Sequence, residues 1–485
     1  MKKIFVIASL FFSILSAVAQ SAGSMKAVTL QEAVAFALEN NNTMKNAQLD
    51  QKIAKARNWE IMATGLPNIN AEAGYTYYFK RPVSPAFNDF FSDTTTASSK
   101  VFSYLASQDP NIGAILYQSA LASKDNEFSF VLPHNLSASL TVSQLIFDGR
   151  YFIGLKATKD FTKSARLQKD LSQQDIKYNV IKAYHQAAAA NEAVIKLNEN
   201  LKLIQRLLSD TRAIFGEGLI EELDVDRLAL TESQLQSQIT LQTQMARVAL
   251  DNLKFQMGMD LNDDLMLKDN LEDLRAQLKI EADTKLDVTQ RVENELLETV
   301  YRIRGYDVAQ RKSGYFPSMF AFLNYGWQAQ GKSFNGLFKS TTTTFPDGDT
   351  RKRTQWFDQG LVGLTLKIPI FDSGARLANM NQAKFDQEKT KNDLENFKRA
   401  AELQFRASRS AFESALVDEA NNKRSTELSE KIFKTNQIKY KEGVGSSFEL
   451  VQSETENSAN HLKRIQSVLS LLNAKADLDK ALGVK

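Results

Sequence analysis

Three histidines, ten methionines and no cysteine are the raw material for metal or nucleophile chemistry in this 485-residue chain. None of it is arranged for such work. His134, His185 and His461 fall on separate segments without ligand spacing, so each reads as a surface or packing histidine. The methionines form no paired clusters, which leaves a copper path unsupported. Without cysteine there is no disulfide, no thiolate and no lipid anchor on an N-terminal cysteine. Nucleophile-elbow, phosphate-loop and HExxH patterns are all missing, so no enzymatic activity, cofactor or metal is expected. What remains is a pair of carboxylates after glycine turns: Asp224 follows Gly218, and Glu449 follows Gly443. The helix dipole favours a carboxylate at any helix start. A capping role and a role in a pore are both open for these two residues on their own evidence.

The elements that carry those turns occur twice. Leu140-Thr-Val-Ser-Gln-Leu-Ile-Phe-Asp-Gly149 returns as Leu364-Thr-Leu-Lys-Ile-Pro-Ile-Phe-Asp-Ser-Gly374, and Ile214-Phe-Gly-Glu-Gly-Leu219 returns as Lys439-Tyr-Lys-Glu-Gly-Val444. Leu66-Pro67 to Tyr75 returns as Phe316-Pro317 to Tyr325. Three matches in one order indicate a duplicated unit. Gly149 lies 69 positions before Gly218, and Gly374 lies 69 before Gly443; as helix, each stretch spans roughly 100 Å. Val194, Leu197, Leu201, Ile204 and Leu208 follow the 3-4 spacing of a coiled-coil seam.

The expected organisation is therefore a signal peptide over 1–19, a first repeat over 20–260, a connector over 261–286 and a second repeat over 287–485. The first repeat holds a helix from Thr29 to about Ala63, a strand at 68–79, a loop at 80–133, a strand at 134–147, a long helix at 149–215 and a return helix at 219–258. The second holds a helix over 287–312, a strand at 317–330, a loop at 331–355, a strand at 356–371, a long helix at 374–441 and a return helix at 444–483. A short helix is expected inside the first loop, near Val101 to Ala122. The signal rests on Lys2 and Lys3, an apolar run and the small-x-small end Ala17-Val-Ala19. Its removal takes the formal charge from +3 to +1, which gives no electrostatic case for nucleic acid.

No later segment offers the ~18 consecutive apolar residues of a membrane helix, so insertion would have to use strands. Ile69, Ala71, Ala73, Tyr75 and Tyr77 alternate with Asn68, Asn70, Glu72, Gly74 and Thr76, one apolar face against one mainly polar face. The other three strands alternate likewise, and Tyr325, Trp327 and Trp356 suit an interfacial girdle. Four such strands cannot sit open-edged in lipid, and one chain has too few for the smallest ~8-stranded barrel. Several copies must contribute, and three give twelve strands with room for a pore.

With its duplication, paired strands, Phe-Asp-(Ser)-Gly corners and glycine turns, the mature chain resembles the TolC family of outer-membrane efflux proteins. The most specific stretches are Phe215-Gly-Glu-Gly-Leu-Ile-Glu-Glu-Leu-Asp224-Val and Tyr440-Lys-Glu-Gly443-Val-Gly-Ser-Ser-Phe-Glu449-Leu. The resemblance implies an α+β membrane protein in the outer membrane: a homotrimer with a 12-stranded barrel and a long periplasmic tunnel of coiled helices. It implies a periplasmic adaptor and an inner-membrane efflux pump or ABC exporter as partners, with outer-membrane lipid around the barrel. It also assigns roles. Asp224 and Tyr440 fall where the family has a closing latch, Glu449 falls in an acidic constriction ring, and Gln452 stands where a second acidic ring would be. Gly218, Leu219, Gly443, Val444, Gly445 and Ser446 form the turns that would meet an adaptor, with Gly445 where some members carry an arginine. The expected function is a passive exit duct for tripartite efflux or type I secretion. The competing readings are a non-conducting periplasmic scaffold or adaptor, which the seams fit and the strands do not, and an extracellular hydrolase or binding protein, for which only Lys80–Pro133 has room.

Overall fold

The computed structural model describes residues 26–81, 104, 107–108, 131–218, 220–278, 285–344 and 350–483. The expected signal peptide, most of the first loop and of the helix expected in it, and Leu219 lie outside these residues. The chain divides into two compact units. A helical unit takes in residues up to Trp59, Leu155–Ala309 and the chain from Leu377 on; a sheet unit takes in Glu60–Gly154 and Gln310–Arg376.

The helical unit opens with strand β1 (Lys26–Val28) and helix α1 (Leu30–Asn40). A reciprocal cap starts α1: the Glu32 amide donates to the Thr29 hydroxyl, and the Thr29 amide donates to the Glu32 carboxylate at 2.8 Å. The helix expected to run unbroken to Ala63 is instead divided at Asn41, whose backbone is extended. The reason lies in that side chain. Its amide donates to the Gln256 carbonyl at 2.7 Å, and its carbonyl accepts from the Thr43 amide at 2.7 Å, so Asn41 caps a new helix, α2 (Asn42–Ala63).

The long helices are α3 (Gly149–Gly216) and α7 (Ala375–Lys441), and the return helices are α4 (Glu222–Met257) and α8 (Ser447–Leu482). Between the repeats lies α5 (Leu271–Ala276), and α6 (Val292–Ser313) is the first helix of the second repeat. A run of small buried residues on α3, including Ala183, Ala187, Ala189 and Ala190, packs with Leu253 and Met257 of α4 and Leu472 of α8. Further along α3, Leu197, Ile204, Leu207 and Leu208 pack with Leu228, Leu235, Phe433 and Leu450. The seam expected from spacing is thus apolar core at Leu197, Ile204 and Leu208, with Leu201 partly buried against it.

The connector has more structure than its composition suggested. Strand β4 (Leu265–Leu267) pairs in parallel with β1, and α5 is held by Arg275, which makes two hydrogen bonds at 3.0 and 3.2 Å to Glu419. Glu419 is only 2% exposed, so this fork–fork pair supplies the partner a buried carboxylate needs. The fully buried Tyr184 sits within hydrogen-bond reach of the Val28 carbonyl and the Asp269 carboxylate, fastening β1 and the connector to α3.

The sheet unit is an antiparallel four-stranded sheet of β2 (Asn68–Tyr77), β3 (His134–Phe147), β5 (Ser318–Gly331) and β8 (Trp356–Lys367), in that order. The pairing of β3 with β5 joins the two repeats in one sheet. The register sets Ile69, Val142, Leu323 and Val362 on one face, with Asn70, Thr141, Asn324 and Leu361 on the other. Both edge strands, β2 and β8, are unpaired on their outer sides among the described residues. The second loop is also more ordered than expected: a short 3-10 turn over Phe334–Phe338 precedes a hairpin of β6 (Ser340–Thr344) and β7 (Thr350–Thr354).

The two strand-to-helix corners solve one problem in two ways. Asp148 accepts from the Arg150 amide at 2.8 Å and pairs with its guanidinium at 2.9 Å. Asp372 accepts from the Arg376 amide at 2.9 Å and from its Nε at 2.7 Å. The second corner has one extra residue, Ser373, and there Ser373 (φ 54°) and Gly374 (φ 84°) are in the left-handed region.

Candidate functional site

The candidate site is the pair of turns that end the long helices. Gly218 has φ 73° and Gly443 φ 72°, the left-handed conformation that ends a helix and that glycine adopts without strain. A β-carbon at either would meet nothing within 4 Å, so backbone conformation alone requires glycine there. After Gly443 the Val444 and Gly445 amides both donate to the Lys439 carbonyl, at 3.0 and 3.1 Å. Gly445 is favoured for a different reason: a β-carbon there would lie 3.0 Å from the Tyr440 backbone nitrogen. Ser446 then caps α8 by accepting from the Glu449 amide at 3.2 Å.

Asp224 and Tyr440 are not bonded to each other within the chain. The half-buried Asp224 carboxylate accepts a hydrogen bond from the Ser447 hydroxyl. Arg227 donates to the same hydroxyl at 3.3 Å and lies over the Phe448 ring, 5.6 Å from its centre. These contacts tie the starts of α4 and α8 together. The Tyr440 hydroxyl instead shares a 3.1 Å hydrogen bond with that of Thr211, tying α7 to α3. Ser447 and Thr211 are 1% and 0% exposed, so each tie is shielded from competing water.

Sequence reasoning missed Ser447, Arg227 and Thr211. A signal existed for Thr211, a polar residue three positions after Leu208 on the same seam. Nothing comparable marks Ser447, because its neighbour Ser446 already accounts for a serine at the cap.

Glu449 and Gln452 are both exposed on α8, and the Gln452 amide donates to Glu456 at 3.2 Å. Positions 449, 452 and 456 share one helix face. Glu456 therefore adds a second carboxylate one turn beyond Gln452, on the face where the reading of Gln452 alone counted a loss.

Deeper among the helices lies a buried polar layer. Glu454, 2% exposed, accepts from the Asn200 amide at 2.5 Å, and burial pushes its carboxyl up to about 7. Ser429 donates to Asn457 at 3.2 Å beside it in sequence. Of the histidines, His185 is buried against Asn473 and pushed down to about 4 by desolvation, which keeps its ring neutral. His461 lies 3.1 Å from Glu430. No group of acidic residues and histidines able to hold a metal ion occurs among the described residues, and no helix among them is long and apolar enough to cross a membrane.

Residues 302–484 match the family profile "Outer membrane efflux protein". No curated protein matches the chain in sequence. Among solved structures, the Campylobacter jejuni CmeC outer membrane channel is similar with a TM-score of 0.67 at 16% identity, over 94% of this chain and 85% of that one. The open-state Neisseria gonorrhoeae MtrE outer membrane channel is similar with a TM-score of 0.65 at 17% identity, over 94% and 88%. The Vibrio cholerae outer membrane protein VceC gives 0.65 at 12%, over 94% and 96%. At such identities the likeness concerns the fold. The α+β reading of the sequence, two repeats of long helices with paired strands, is borne out. Residues 302–484 match the outer membrane efflux protein profile, and nearly the whole chain shares the fold of the outer-membrane channels to which the TolC resemblance pointed.

Proposed function

We propose that this chain is the outer-membrane exit duct of a tripartite efflux or type I secretion system, working as a homotrimer without catalysis of its own. The observation that carries the reading is a four-stranded sheet with an exposed apolar face and two unpaired edges. Such a sheet is stable in lipid only when its edges close on further strands, and three copies supply twelve. The helical unit forms the periplasmic tunnel. Substrate arrives from an inner-membrane pump or ABC exporter through a periplasmic adaptor that meets the turns at Gly218, Leu219, Gly443, Val444, Gly445 and Ser446. Glu449, with Glu456 on the same face and Gln452 between them, lines the narrow end, where repeated carboxylates attract cations. A scaffold that conducts nothing has no use for the apolar sheet face.

The ties at the turns act as the resting closure. The Asp224–Ser447–Arg227 contact holds the return helices together and Tyr440–Thr211 holds the long helices, so the family's Asp224–Tyr440 latch is here divided between two hydroxyl partners. Single-channel recording of the mature protein in a planar bilayer tests this. The wild type is expected to give a small conductance that grows severalfold in Asp224→Ala and in Ser447→Ala, and less in Tyr440→Phe. Equal conductance in all four keeps the duct and removes the closure; silence from membrane-inserted protein removes the duct.

A further inference from the structure

The sheet carries a charge whose position has no structural role. Glu72 is in the middle of edge strand β2, on the mainly polar face. It is exposed, and no hydrogen bond or ion pair holds it among the described contacts of the sheet. Its neighbours on that face are small: Ser139 is its partner on β3, Gly326 lies beyond that on β5, and Gly74 and Ser137 form the next pair. None of them competes for the carboxylate or covers it.

The rest of this face is nearly free of charge. Following the register across all four strands, the only other ionic side chain is Lys367, opposite Ser318 at the far end of the sheet. Asp358, the remaining charged residue of the strands, near the start of β8, falls on the apolar face, where the Tyr325 hydroxyl donates to it at 2.6 Å. The opposite alternation, with Ile69, Tyr75, Leu323 and Val362 exposed, marks the apolar side as the lipid-facing one. Glu72 is then aimed into the lumen.

We infer that Glu72 sets the charge preference of the barrel lumen, favouring cationic over anionic solutes. This rests on the duct reading above. Threefold repetition turns one carboxylate into a ring, and the rest of this face, mainly Ser, Thr, Asn, Gln and Gly with Leu145, Phe320, Phe322, Phe357 and Leu361, offers no countercharge nearer than Lys367. Held about 10 Å from the axis, the ring is felt there at 0.1 M salt, where the screening length is about 10 Å, and is masked at 1 M, where it is about 3 Å. The carboxylate needs no partner because water in the lumen solvates it. A cargo that crosses the helical tunnel meets this second, independent filter before release.

The test is the reversal potential of single channels of the full mature protein under a salt gradient, for wild type, Glu72→Gln and Glu72→Lys. Fixed charge counts most on the dilute side, where screening is weakest. With dilute KCl bathing the barrel end, the cation-to-anion permeability ratio is expected to fall by roughly fivefold in Glu72→Gln. It should pass below one in Glu72→Lys. With the gradient reversed, the carboxylates of Glu449 and Glu456 dominate, and the three proteins should agree closely. Channels that conduct but show the same ratio in all three, in both orientations, overturn the role of Glu72 and leave the duct intact. Membrane-inserted wild type that conducts nothing overturns both.

Discussion

Gly258→Ala is expected to be the most damaging single methyl group that can be added at a helix end in this chain. Gly258 caps α4 with φ 75°, and an alanine held there costs about 1–2 kcal/mol on backbone grounds alone. The added carbon would also lie 2.8 Å from the Asn41 α-carbon and 2.9 Å from the Asn40 carbonyl oxygen. Those are backbone atoms at the break between α1 and α2, fixed by the bond from Asn41 to the Gln256 carbonyl, and they cannot swing aside. Overpacking of this kind costs about 1–3 kcal/mol more. The equivalent position in the second repeat, Gly483, would meet the Arg291 side chain at 3.0 Å, which is more pliable. At Gly218 the new carbon meets nothing, leaving about 1 kcal/mol of backbone strain. Thermal unfolding of the three alanine variants should rank the losses Gly258, then Gly483, then Gly218. Equal losses would mean that the contact between α4 and the α1–α2 break does not carry weight.

The second large effect concerns pH. Glu454 is buried against Asn200, and its carboxyl sits at about 7 in the folded protein against an ordinary 4.5. Below about pH 4.5 the group is protonated whether the chain is folded or not, and it makes no difference. Between 4.5 and 7 the folded protein keeps a proton that the unfolded chain has released, so stability falls as pH rises. Above 7 the full penalty is present, on the order of 3 kcal/mol per chain. Glu454→Gln retains an acceptor for Asn200 and removes the charge. It should raise the unfolding midpoint at pH 8, leave it nearly unchanged at pH 4.5, and flatten the profile between. A variant profile parallel to that of the wild type would show that Glu454 is solvated well enough to ionise freely.

Much of the architecture is readable from the sequence because it is periodic and occurs twice. Long helices with a 3-4 seam and strands with a strict alternation leave signals over many residues, and matched glycines mark where each long helix turns. What escaped has the opposite character. Strand β4 is three residues long and carries no period; it exists because β1, far away in sequence, lies beside it. The break at Asn41 depends on a carbonyl more than two hundred residues on. At the candidate site the residue types at Asp224, Tyr440, Glu449 and Gln452 could be picked out, yet their partners could not. Ser447 and Thr211 are buried polar side chains whose purpose is visible only once the facing helix is known. The glycine at 445 looked like a lost arginine; a β-carbon there would press at 3.0 Å on the Tyr440 backbone nitrogen and the Lys439 side chain.

The central claim is that the two open sheet edges, β2 and β8, close between copies in the membrane. The chain has no cysteine, so introduced thiols report without background. Ile69→Cys on β2 can be combined in turn with Val362→Cys, Leu364→Cys or Leu366→Cys on β8, all four residues lying on the same face. Oxidation of outer-membrane preparations should give, for at least one pair, cross-linked dimer and trimer and nothing larger, with single-cysteine controls remaining monomeric. A series that yields no cross-link, or a ladder continuing past three, would contradict the closed trimeric barrel.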